Sequence, residues 1–212
     1  MIDININNET SRLQLVLVGI ADDFGGVPDV EDCYDPKSRM HVINGTFPIQ
    51  EDLCNEMEGF IGVLKKYNVD ILRPSNIKGL NQIFTRDISF VIEDKIIIPN
   101  ILKERQKELE AIDTILVNIP EENKIVAPKN INIEGGDVIL CDEYIFVGFS
   151  RINDFNKYTV SRTNEKGLNF LRDIFLNKNV IGFELNKSDI DPRDNALHLD
   201  CCFQPIGKDM AI

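Results

Sequence analysis

The chain has 212 residues, 43% of them hydrophobic, which is enough apolar content for a packed core and excludes a disordered polypeptide. Its formal net charge of -12 argues against a nucleic-acid partner, because affinity for phosphates rests on Lys and Arg, and it suits a cationic ligand better. The N-terminus carries no basic and apolar signal, no apolar run approaches the roughly 18 residues of a membrane span, and five cysteines form no C-x-x-C pair, so a cytoplasmic protein without membrane partners is expected.

In chain order, Leu13 to Val18 reads as a buried strand that runs into the acidic Gly/Pro loop Asp22 to Pro28. From Pro48 the pattern becomes helical. Leu53, Met57, Phe60, Ile61 and Leu64 form one apolar stripe, with Glu51 and Asp52 in the first turn and Lys65 and Lys66 in the last. A short strand from Val69 to Leu72 stops before Pro74, and a polar loop reaches the hairpin that opens at Asp87. Ile101 to Ile112 is predicted as a second helix with its Lys and Glu outward, Ile115 to Ile119 as a strand, and Val138–Leu140 with Tyr144–Val147 as a second hairpin. Ser150 to Ser161 reads as a polar insertion without periodicity. Thr163 to Phe175 is predicted as a third amphipathic helix through Leu168, Leu171, Ile174 and Phe175, and Val180 to Leu185 as a strand. The loop Asn186 to Asn195 then leads to His198, after which a third hairpin is expected, turning at Gly207-Lys208-Asp209.

One design therefore recurs: an aspartate opens a strand, a polar turn follows, and an apolar strand returns. Asp87, Asp137 and Asp200 are the three openers, and Glu134-Gly135-Gly136 precedes the second. A single Asp at a strand entrance is usually a turn former. Recurrence at one structural position changes that, because equivalent junctions of stacked repeats converge on one end. A common acidic pocket receiving Asp87, Glu134, His198 and Asp200 is the expectation. His198 and Asp200, two apart on an extended stretch, share a face. A histidine held by Glu134 carries a proton near neutral pH, and Asp87 and Asp200 each accept two N–H bonds, which matches the planar fork of a guanidinium. Glu134 with Asp137 as a metal pair offers too few oxygen ligands, so no metal is expected.

These residues carry a resemblance. Asn81-Gln82-Ile83-Phe84-Thr85-Arg86-Asp87, Ile133-Glu134-Gly135-Gly136-Asp137 and His198-Leu199-Asp200 are similar to the three core motifs of the guanidino-group-modifying superfamily, which includes arginine deiminase, arginine:glycine amidinotransferase and dimethylarginine dimethylaminohydrolase. The resemblance implies an α/β propeller (pentein) of five pseudo-symmetric ββαβ modules, with residues 1–212 as a single propeller domain whose C-terminal part is absent. By motif, Asp87 and Asp200 would clamp a substrate guanidinium, His198 would be the general acid/base, and Glu134 would orient His198 or share the clamp. Asn81 and Phe84 would touch the substrate. Arg162 would bind a substrate carboxylate, with Arg151 as its rival. The implied partner is a small guanidino or ureido compound, with no cofactor, and a homo-oligomer is among the expected assemblies.

Hydrolase and amidinotransferase both remain open. Either chemistry needs a cysteine that attacks the guanidinium carbon, and in the family it lies downstream of the His-x-Asp stretch, so it is expected beyond Ile212. Cys202 shares the predicted face of His198 and Asp200 but stands too close along the strand to reach across a clamped guanidinium, and a packed thiol is expected there. The alternatives are an arginine-binding protein without a covalent step and a partial propeller completed by another chain.

Overall fold

A computed structural model describes residues 1–207 and 209–212; Lys208, at the centre of the third expected turn, lies outside them. The first unit is a parallel pair, β1 (Leu15–Leu17) beside β2 (Asp70–Leu72), joined by a crossover that holds α1 (Pro36–Ile43) and α2 (Gln50–Lys66). Asp35 starts α1 by accepting a hydrogen bond from the Ser38 amide, and Pro36 fits the first helical position because its missing N–H would be unpaired there anyway. The predicted stripe of α2 faces inward through Ile61 and Leu64, which pack on Val18 and Val69. Phe60, counted with that stripe, instead stands outward and 52% exposed.

Two further units repeat one plan. After α3 (Thr85–Ile88), β3 (Phe90–Ile92) pairs antiparallel with β4 (Lys95–Ile98), and β4 pairs parallel with a strand from beyond a crossover, β5 (Lys124–Val126). The crossover contains α4 (Asp113–Leu116), and β5 lies past Pro120 rather than at Ile115–Ile119, where α4 winds the chain into a turn instead. β6 (Val138–Cys141), β7 (Tyr144–Phe149) and β8 (Asn179–Glu184) repeat the arrangement, antiparallel then parallel. Their crossover holds α5 (Ile152–Lys157), inside the segment expected to be irregular, and α6 (Glu165–Ile174), capped by the Asn164 side chain at the Gly167 amide. Ile92, Ile97, Ile133, Ile145, Val147, Leu168 and Leu171 form the main core between these sheets and α6.

Two expectations change. Residues 103–112 run as 3-10 turns, not as an α-helix, so the buried positions fall three apart at Arg105, Glu108 and Ala111. The three aspartates also do not open strands: Asp87, Asp137 and Asp200 lie on one-turn helices, Thr85–Ile88, Gly135–Asp137 and Leu199–Cys201. The third hairpin correspondingly starts later, where Gln204 and Ile212 exchange backbone hydrogen bonds of 2.8 and 2.9 Å. Among the described residues no helix is long and apolar enough to cross a membrane.

Candidate functional site

Glu134 is the centre of the site. It precedes the turn Gly135–Asp137, is fully buried, and every oxygen of its carboxylate is engaged. Oε1 accepts from the Leu102 amide at 3.0 Å. Oε2 lies 3.0 Å from His198 Nε2, 3.4 Å from Arg105 Nη1 and 3.5 Å from Arg162 Nε. Burial alone would raise the Glu134 pKa; the hydrogen bond from His198 and the charges of Arg162, His198 and Arg105 reverse that and hold it at about 2.

His198 is buried with its ring between two acids, Glu134 at Nε2 and Asp87 Oδ1 3.8 Å from Nδ1. Burial pushes its pKa down, yet the hydrogen bond to Glu134 and the charges of Asp137, Asp87 and Glu134 outweigh it, so the imidazole is shifted up from 6.5. Glycine at 136 makes the approach feasible, because a Cβ there would stand 2.8 Å from both the ring Cγ and Asp87 Oδ1. A Cβ on Gly135 would collide with the Arg86 carbonyl oxygen.

Asp87 is bonded through Oδ2 to Arg105 Nη1 at 2.7 Å. Arg105 also forks onto both oxygens of Glu108 at 2.8 Å each and reaches the Phe84 carbonyl at 3.3 Å. A guanidinium therefore sits against Asp87 and Glu134, and it belongs to the chain itself. Glu108 was expected on the outer side of a helix and Arg105 was not singled out; the 3-10 run buries both, with Ala111 and Ile112.

Asp200 stands at the edge of the group. Its Oδ2 is 3.6 Å from Arg86 Nε, and Arg86 also forks onto Glu9. Burial first, and then the charge of Asp87, push Asp200 up. Because it lies on a 3-10 turn, it does not share a strand face with His198. Arg162 is buried, bonded to the Thr159 carbonyl at 3.0 Å and stacked 5.6 Å from the Tyr34 ring centre. Arg151, its rival, lies on the surface against Glu184. Asn81 turns its side chain back on the Ile83 amide at 3.2 Å, and the Phe84 ring is 57% exposed.

Asp87, Glu134 and His198 each offer a ligand atom within 4.8 Å of the others, the geometry of a metal trio. Arg105 and Arg162 already supply positive charge to the same carboxylates. Glu134 and Asp137 do not form a pair, since Asp137 turns to the Leu199 amide at 3.0 Å. A cavity of about 300 Å³ lined by Asn8, Glu9, Ser11, Leu140 and Asp142 shares no residue with the acids. Cys201 and Cys202 are exposed, not packed.

A family model described as N,N dimethylarginine dimethylhydrolase, eukaryotic, matches residues 41–212. The chain belongs to that family. Among curated proteins, the uncharacterized protein YkgA of Bacillus subtilis (strain 168) is 26% identical over 153 residues, covering 72% of this chain and 47% of YkgA. The chain thus spans about half the length of that relative. Among solved structures, the amidinotransferase SxtG from Microseira wollei, of a saxitoxin biosynthetic pathway, superposes with a TM-score of 0.69 at 19% identity, covering 95% of this chain and 66% of SxtG. The N-terminal domain of ArgZ, a cyanobacterial arginine dihydrolase solved with its substrate, gives 0.68 at 19% identity, covering 93% of this chain and 65% of its own. These likenesses show the fold of this dimethylhydrolase-family member, the pentein α/β architecture of the guanidino-group-modifying superfamily.

Proposed function

We propose that this family member is part of a guanidino-group-modifying enzyme acting on arginine or a related guanidino compound. The observation that carries the proposal is the guanidinium of Arg105 seated against Asp87 and Glu134: the site accommodates the functional group it is proposed to process. A substrate guanidinium would take that place on Asp87, with Asp200 closing the other side once Arg86 releases it. His198, whose protonated form Glu134 favours, would donate the proton that the leaving amine needs. Arg162 would bind a substrate carboxylate, and Asn81 and Phe84 would line its path.

The covalent step joins a cysteine thiolate to the guanidinium carbon, expels ammonia or an amine that takes its proton from His198, and leaves an amidino-thioether for water or an acceptor amine. All five thiols of the chain are shifted up by partial desolvation, even where exposed, and by neighbouring carboxylates. Nucleophilic thiols need the opposite, an electropositive setting. The attacking cysteine is therefore proposed to come from outside these residues. The same observation supports a second reading, an arginine-binding protein without turnover.

Calorimetric titration with L-arginine and its Nω-methylated forms, with citrulline as the uncharged control and product analysis for citrulline, ornithine and ammonia, tests both. Binding of the cations alone, lost in Asp87→Asn, is expected. Equal heats for arginine and citrulline, or none, would overturn the guanidinium site. Binding without products is expected of these residues under either reading, whereas release of citrulline, ornithine or ammonia by them alone would overturn the placement of the attacking cysteine outside them.

A further inference from the structure

The segment 186–198 that carries His198 into the site contains no helix or strand, so the fold's backbone ladders do not set where the ring stands. Besides the backbone bond from the Ala196 amide to the Asn186 carbonyl, two buried charged side chains bond to the chain beside His198. Lys187 Nζ donates to the carbonyls of Ala196 and Leu197, at 2.7 and 2.8 Å, the two residues just before His198. Asp137 Oδ1 accepts from the amide of Leu199, the residue just after it, at 3.0 Å. We infer that Lys187 and Asp137 are positioning residues that pin the backbone on both sides of His198 and so hold its ring between Glu134 and Asp87.

Three observations argue for this over incidental packing. Lys187 and Asp137 are only 8% and 1% exposed, although a lysine normally keeps its ammonium in water and an ionised carboxylate is costly to bury. Asp137 Oδ2 has no hydrogen-bond partner among the described residues, and burial raises its pKa while the charges of His198 and Lys187 oppose that rise. The surrounding chain also makes room for the carboxylate, since a Cβ on Gly148 of β7 would stand 2.6 Å from Asp137 Oδ1 and 3.0 Å from Leu199 Cβ. The charged groups around His198 are Glu134, Asp87, Asp137 and Asp200, with Arg105 and Arg162 on Glu134 and Lys187 behind Asp137. Asp137 supports the imidazolium without touching the ring's nitrogens, and the upward shift of His198 includes its charge.

The inference rests on His198 acting in the site, but its test needs no ligand, so it succeeds or fails apart from arginine binding. The chain has two histidines, and His41→Gln on the surface leaves one imidazole to follow by NMR through a pH titration. Asp137→Asn keeps the acceptor for Leu199 and removes the charge; a midpoint at least half a unit lower is expected. Lys187→Met is the sharper variant. Loss of a nearby positive charge, by electrostatics alone, would raise the His198 midpoint, whereas loss of position would let the ring leave Glu134 and lower the midpoint towards 6.5. The expected result is the fall, with faster exchange of the Leu199 amide, and Lys187→Arg restoring part of both. An unchanged or raised midpoint in Lys187→Met, or an unchanged one in a folded Asp137→Asn, would overturn the inference.

Discussion

The β3–β4–β5 and β6–β7–β8 units share strand order, pairing and even turn geometry, with Glu93 and Asp142 at φ 53 and 50° in the left-handed region. Their crossovers differ. In the second unit α6 sets Leu168 and Leu171 into the isoleucine core, with Phe175 at its end, so the contact is dry and non-directional. In the first, the 3-10 run places Ile112 against Ile88 and Ile101 but also sets Arg105 and Glu108 into the interior, where Arg105 bonds to Glu108, Asp87 and Glu134 in turn. One architecture thus supports two kinds of interior. The apolar one tolerates the loss of a contact in proportion to the volume removed, whereas the ionic one fails when any partner is taken away, because the remaining charges are left buried.

The largest expected effect tests that asymmetry. Glu134→Ala strips the common partner from His198, Arg105 and Arg162 and should cost about 3–5 kcal/mol in urea unfolding at neutral pH. Leu171→Ala in the dry core should cost about 2–5 kcal/mol. Only the first cost should shrink as the wild-type carboxylate is protonated towards pH 2. Equal pH dependence for the two variants would break the comparison.

The pH profile sharpens it further. Glu134 is lowered from 4.5 to about 2 on folding, so its contribution is present above 4.5 and lost as pH falls through the lower value. His198 is raised from 6.5, so its contribution is complete below 6.5 and lost as pH rises through the folded value. Asp137 and Asp200, raised chiefly by burial, contribute stability that is complete below 3.8 and lost as pH rises through their folded values. Thermal unfolding should therefore show greatest stability in mildly acid buffer, between the two reference values, and a maximum above pH 8 would contradict the charge assignments. The smallest effect belongs to the apolar crossover: Asn164→Ala removes the α6 cap and should cost about 1 kcal/mol by the same unfolding measurement.

Legibility followed chemistry more than winding. Asp87, Glu134 and His198 were visible because the first is one of three recurring aspartates and the other two stand beside its counterparts, and the structure brings the three together. Asp200 was misdirected because extended backbone was assumed through His198, where the chain makes a 3-10 turn. Arg105 was missed for a related reason. Its neighbours Lys103, Glu104, Gln106 and Lys107 are exposed, and charged residues within a polar run read as a solvated face unless a three-residue period is considered. Lys187 gave no pattern, and Asp137, one of the three recurring aspartates, was read as a strand opener, because the partners of both are backbone groups whose direction no sequence period records.

By itself the sequence determined the hairpins, the apolar faces of α2 and α6 and the acids that begin each unit, since these depend on residues a few positions apart and on alternation or helical period. Only tertiary structure decided that the chain's own Arg105 would occupy the acids, that Asp200 would turn to Arg86, and that a lysine and an aspartate would grip the backbone around His198. Those outcomes depend on burial, where an unpaired charge is too costly to leave and each group takes whichever partner the packed chain brings within reach.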